Sequence, residues 1–90
     1  MAFAAIITKI MPESPSSDLE QIQRTAKSNL EKLGAMNISF TLENIAFGLK
    51  AIMIKFAWPE EKDTSLIEDS LGSINEVSSA QIVDYRRAFG

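Results

Sequence analysis

The stretch Met36–Trp58, MNISFTLENIAFGLKAIMIKFAW, carries most of the information about the fold. Met36, Ile38, Phe40 and Leu42 alternate with Asn37, Ser39, Thr41 and Glu43, the period-2 pattern of a half-buried strand. A second strand is expected from about Gly48 to Trp58, closed by Pro59. Its even positions Ile52, Ile54, Phe56 and Trp58 are bulky and are assigned to a face covered by helices. Its odd positions Leu49, Ala51, Met53 and Lys55 are assigned to the outside of the sheet. Ala46-Phe47-Gly48 stands at the mouth of this strand. The residues alone leave Phe47 open between a core aromatic and an exposed wedge, because one bulge beside a glycine flips side-chain parity.

Working outward, Ala2–Met11 is a short apolar run ending at Pro12 and reads as a strand. PESPSS forms a turn cluster. Ser17 and Glu20 match a capping box, and Leu19, Ile22, Ala26, Leu30 and Leu33 follow as one helical stripe. Lys27 and Lys32 suit the C-terminal half of that helix, and Gly34 is a natural stop. After the acidic loop PEEKDTS, Ser65 and Glu68 match a second capping box before Leu66, Ile67, Leu71 and Ile74. Val77–Ala88 completes the pattern as a strand, with Ala80 and Ile82 on one face and Val83 and Tyr85 on the other. The order β-α-β-β-α-β predicts an α+β fold, the ferredoxin-like split β-α-β sandwich: a four-stranded antiparallel sheet with two helices on one face. That fold hosts many activities and does not name one.

Composition narrows the choice. Ninety residues, 46% hydrophobic and 23% charged, fit one folded domain. Cysteine and histidine are both absent, which removes thiol chemistry, CxxC metal sites and the usual partner of a serine nucleophile. An enzyme is therefore not expected, nor a cofactor. The acidic group Glu60, Glu61, Asp63, Glu68 and Asp69 lacks the spacing of a calcium loop and reads as a solvated loop beside a helix start. A net charge of −3 and a pI near 4.8 argue against a direct nucleic-acid footprint. The third strand also lacks the aromatic pair of an RNA-stacking sheet. No apolar run is long enough to span a bilayer, and MAFAAIITKIMPE lacks the regions of a secretory signal. The expectation is a cytoplasmic protein, monomeric when free.

Arg86 and Arg87 are the only adjacent cations. They read either as a solubilising chain end or as a cationic finger for a partner's phosphate or metal pocket.

KIMPESPSSDLEQI, NIAFGLKAIMI and VSSAQIVDYRR, with the acidic loop between the last two, resemble the archaeal type of translation elongation factor 1-beta along essentially the whole chain. The resemblance implies a single guanine-nucleotide exchange domain over residues 1–90, acting on the elongation factor 1-alpha GTPase. It implies that Phe47, followed by Gly48-Leu49-Lys50, is pressed against the GTPase. It also implies that Arg87, with Arg86 next, falls nearest a C-terminal lysine that points into the magnesium and γ-phosphate site. A planar guanidinium in place of a compact ammonium is a departure from that pattern. The partner-binding set expected on these grounds is Phe47, Gly48, Lys50, Arg86 and Arg87. The alternative is a small-molecule-binding regulatory module working through dimer contacts.

Overall fold

The computed structural model describes residues 2–87. Strict alternation makes β1 (Phe3–Pro12) a strand with every even residue buried on one face. It is followed by α1 (Leu19–Lys32), β2 (Met36–Asn44), β3 (Lys50–Pro59), α2 (Ser65–Gly72) and β4 (Val77–Arg87). The sheet order is β2-β3-β1-β4, and each neighbouring pair is antiparallel. This is the ferredoxin-like arrangement expected from the element order. Ile22, Ala26 and Leu30 of α1 and Ile67 and Leu71 of α2 enter one core with Ile6, Ile10, Ile52, Ile54, Phe56 and Trp58. Both helices thus cover the even face of β1 and β3, and the odd face stays open.

Helix α1 stops as a Schellman motif. Gly34 (φ 103°) lets its own N–H reach the Glu31 carbonyl while the Ala35 N–H reaches that of Leu30. Trp58 is fully buried and plugs the core.

Four local expectations are corrected. The cap of α1 is Asp18, whose Oδ1 accepts from the Gln21 N–H at 3.1 Å. Ser17 lies one residue too early and accepts the Ser14 N–H instead, while Glu20 pairs with Arg24. At α2, Ser65 is already helical. Asp63 accepts its N–H at 2.9 Å, and Glu68 reaches across to the Ile82 N–H at 3.0 Å. In β2, Met36 does not share a face with Phe40. Asn37 has φ 56°, the β2–β3 register shifts there, and Met36 falls opposite Ala57 on the open face. In β4 the register shifts between Ile7 and Thr8, leaving Val83 as the extra residue. Tyr85 then falls opposite Ile6, on the side of Ala80 and Ile82 rather than away from them. Ala88, expected to end this strand, lies outside the described residues.

Candidate partner-binding site

β3 begins at Lys50 rather than near Gly48, because the preceding residues form the turn of the β2–β3 hairpin. The Leu49 N–H donates to the Ala46 carbonyl at 2.9 Å, and the Ile45 N–H donates to that of Leu49 at 2.9 Å. Phe47 (φ 55°) and Gly48 (φ 79°) are the two central residues, and positive φ at both is the sign pattern of a type I′ turn. That turn favours Asn, Asp or Gly at its first central position. A bulky L-residue held there costs roughly 1–2 kcal/mol. Phe47 is also 95% exposed. The exposed alternative is therefore the one the structure adopts, and this aromatic gives the free protein neither core packing nor backbone ease.

A Cβ on Gly48 would lie 3.7 Å from Pro15, so the turn rests against the loop between β1 and α1. Lys50 is exposed opposite Asn44 and leaves the sheet on the helix side, in phase with Ile52. Phe47, Gly48 and Lys50 therefore share one end of the sheet.

The arginines occupy the other end. Arg87 stands opposite Ala4 and Arg86 opposite Ala5, so the two leave β4 on opposite faces. Arg86 projects over the open face and pairs with Asp84, Nε to Oδ2 3.1 Å. Arg87 lies on the helix side and pairs with Glu60, Nε to Oε1 3.6 Å. Both guanidiniums are mostly exposed, so these pairs orient them only weakly. The level of Arg87 is that of Ala4 and Trp58. From Trp58 back to Lys50, β3 rises about 26 Å. The five expected residues are thus not one cluster but two, at the ends of a molecule 41 Å long.

Sequence reasoning put Leu42 on the apolar side of a half-buried strand with Phe40. It lies on that side but is 49% exposed, because β2 is a sheet edge, a property of strand order that alternation alone does not carry. Ile45, beside the turn, is 39% exposed. The acidic residues divide among local tasks: Glu60 pairs with Arg87, Asp63 accepts the Ser65 N–H at the start of α2 and Glu68 takes a strand amide. Among the described residues no three carboxylates gather as a metal site would require, and no helix is long and apolar enough to cross a membrane.

Residues 5–88 match the family model described as the EF-1 guanine nucleotide exchange domain. The chain is 34% identical over 88 residues to elongation factor 1-beta of Methanosphaera stadtmanae, covering 97% of this chain and 98% of that protein. It is 33% identical over 89 residues to elongation factor 1-beta of Metallosphaera sedula, covering 97% of each. Against elongation factor 1-beta of Halobacterium salinarum the identity is 30% over 88 residues, 97% of this chain and 99% of the relative.

Proposed function

The chain belongs to the EF-1 guanine nucleotide exchange domain family and serves nucleotide exchange on elongation factor 1-alpha, and we propose that it does so through two separated contacts, Phe47 at one end and Arg87 at the other. The observation that carries this reading is the Phe47 turn: an aromatic held at positive φ and almost wholly in solvent. Such an arrangement costs stability in the free protein and is compensated where a partner buries the ring.

Exchange makes and breaks no covalent bond, so it asks for no nucleophile or general base of a chain without His or Cys. It asks for differential affinity. The factor binds the nucleotide-free GTPase more tightly than the GDP-bound one, and by linkage GDP and factor weaken one another equally. Phe47 wedges into an apolar cleft of the GTPase, flanked by Gly48, which gives the turn its shape, and by Lys50. Arg87 reaches the magnesium and phosphate contacts from the far end of the sheet, with Arg86 beside it on the other face. GDP leaves, GTP enters, and the factor is displaced.

The decisive experiment is release of a fluorescent GDP analogue from the cognate elongation factor 1-alpha. Acceleration of about tenfold or more, equivalent to about 1.4 kcal/mol off the release barrier, is expected. Phe47→Ala, with unchanged Trp58 emission and melting, is expected to lose most of it. Full activity of that variant removes the wedge. The family membership does not favour the small-molecule module.

A further inference from the structure

We propose that the contact with the GTPase does not end at the turn but continues along the helix side of β2 into the groove between β2 and α1. There it receives a segment carrying apolar side chains flanked by carboxylates. This rests on the exchange reading above and adds to it the route and the chemistry of the partner.

The first observation is an apolar strip. Phe40 and Leu42 stand opposite Ile54 and Ile52, two fully buried residues, so both project to the helix side. Phe40 is half-buried and forms the floor of a groove of about 290 Å³, walled by Glu20, Gln23, Arg24 and Lys27 of α1. Leu42, nearer the turn, stands half exposed on the same side, and Phe47 stands almost wholly in solvent at the turn beyond it. Leu42 and Phe47 are two of the large exposed hydrophobics among the described residues. The groove lies at the lower limit of small-molecule sites, roughly 300–1,000 Å³.

The second observation is that the two edges of the sheet are treated differently. Exposed edges normally carry charges, bulges or covers that discourage pairing. β4 has all three: the bulge at Val83, the Glu68 carboxylate on the Ile82 N–H, and Asp84, Arg86 and Arg87. From Ser39 to Asn44, β2 carries a single charge, Glu43. That residue falls opposite Ala51 and is paired with Lys9 at 3.7 Å, on the open face. The β2 bulge lies at the far end, at Asn37. The edge of β2 near the turn therefore has no bulge, and its one charge points away from the side of Phe40 and Leu42.

The third observation identifies the partner's chemistry. Three cations rim the strip, Arg24, Lys27 and Lys50, against one carboxylate, Glu20, which lies 3.5 Å from Arg24. Among the described residues neither Lys27 nor Lys50 has an ion-pair partner. A positive rim on a chain of net charge −3 is complementary to an acidic segment.

The test measures association and dissociation with nucleotide-free elongation factor 1-alpha for the unaltered protein, Leu42→Ser, Lys27→Glu and Phe47→Ala. Each is measured at low and high salt, with melting curves to show an intact fold. Leu42→Ser is expected to speed dissociation about fivefold or more, as truncation of an interface side chain does. Lys27→Glu, with its fold checked by melting, is expected to slow association about threefold at low salt and to match the unaltered protein at high salt. If Leu42→Ser dissociates like the unaltered protein while Phe47→Ala dissociates faster, the strip is not part of the contact and the exchange reading stands without it. If Lys27→Glu associates normally at low salt, the acidic chemistry of the partner is wrong. If the unaltered protein does not bind an active GTPase at all, the exchange reading falls and takes this inference with it.

Discussion

The indole N–H of Trp58 donates to the carbonyl of Lys62 at 3.2 Å, and the ammonium of the same lysine sits 6.0 Å from the centre of the Trp58 ring. That ammonium also donates to the Leu33 carbonyl at the end of α1, where the helix dipole favours a cation. One exposed side chain thus ties the β3–α2 loop to the end of a helix. Lys62→Met keeps the aliphatic stem and is expected to cost about 1–2 kcal/mol in urea unfolding, from the cation–π contact and the helix terminus together. Stability within 0.3 kcal/mol of the parent, roughly the noise of such comparisons, would show the tie to be idle.

Phe47→Asn creates Asn-Gly, the pair a type I′ turn prefers. It removes the strain of a bulky residue at positive φ and should raise stability by about 0.5–1 kcal/mol. The same change should abolish most nucleotide exchange. A more stable, inactive protein is the expected result, and a less stable one would show that the ring packs on the free protein after all.

Because Arg86 and Arg87 leave β4 on opposite faces, only one of them is expected to enter a given pocket of the partner. Arg87→Ala is expected to slow exchange about tenfold or more, the scale of a lost hydrogen bond to a charged group. Arg87→Lys should retain most of the rate and Arg86→Ala nearly all of it. Equal losses at the two positions would mean that bulk positive charge acts here rather than one placed guanidinium. Neither change should alter melting, since exposed ion pairs contribute little.

Thr8 is fully buried on β1 between Ile54 and Ile82, and its hydroxyl has no hydrogen-bond partner among the described residues. An unpaired buried polar group costs about 1–3 kcal/mol, and valine matches threonine in shape. Thr8→Val should therefore stabilise by about 1 kcal/mol, read by Trp58 fluorescence during denaturation. A loss of stability would mean the hydroxyl has a partner in solution.

The backbone N–H of Ser65, followed by its side chain, holds the Asp63 carboxyl below its ordinary value of 3.8. A depressed folded pKa gives stability that is present above the ordinary value and is lost as pH falls through the lowered one. An NMR titration should place the Asp63 midpoint below its ordinary value of 3.8. In Asp63→Asn the acid unfolding of α2 should lose this component. A midpoint for Asp63 at or above its ordinary value would contradict the capping contact.

Most of the fold was legible because its signals are local. Alternation in β1 and β3, the stripe of α1, the stop at Gly34 and the prolines at strand ends each speak for their own segment. The misreadings fall where one extra residue or one neighbour changes the outcome. Bulges at Asn37 and Val83 invert parity without a marker as plain as glycine, so Met36 and Tyr85 were assigned to the wrong faces. Asp18 outcompeted Ser17 as a cap because it stands immediately before the helix. At the site, Phe47 was ambiguous because a phenylalanine at the first central position hides a type I′ turn. The separation of Phe47 from the arginines, and their own divergence, needed the register.

On the proposed two-contact reading, a sheet that sets the two contacts about 26 Å apart by hydrogen-bonded strands behaves as a gauge. It does not stretch to meet a partner. A GTPase that repositions its parts between nucleotide states changes the spacing of the places the gauge touches, and only the matching state engages both ends at once. Engagement of both makes the second contact intramolecular and multiplies affinity without any new chemistry. Selectivity among the partner's states is then set by the length of β3.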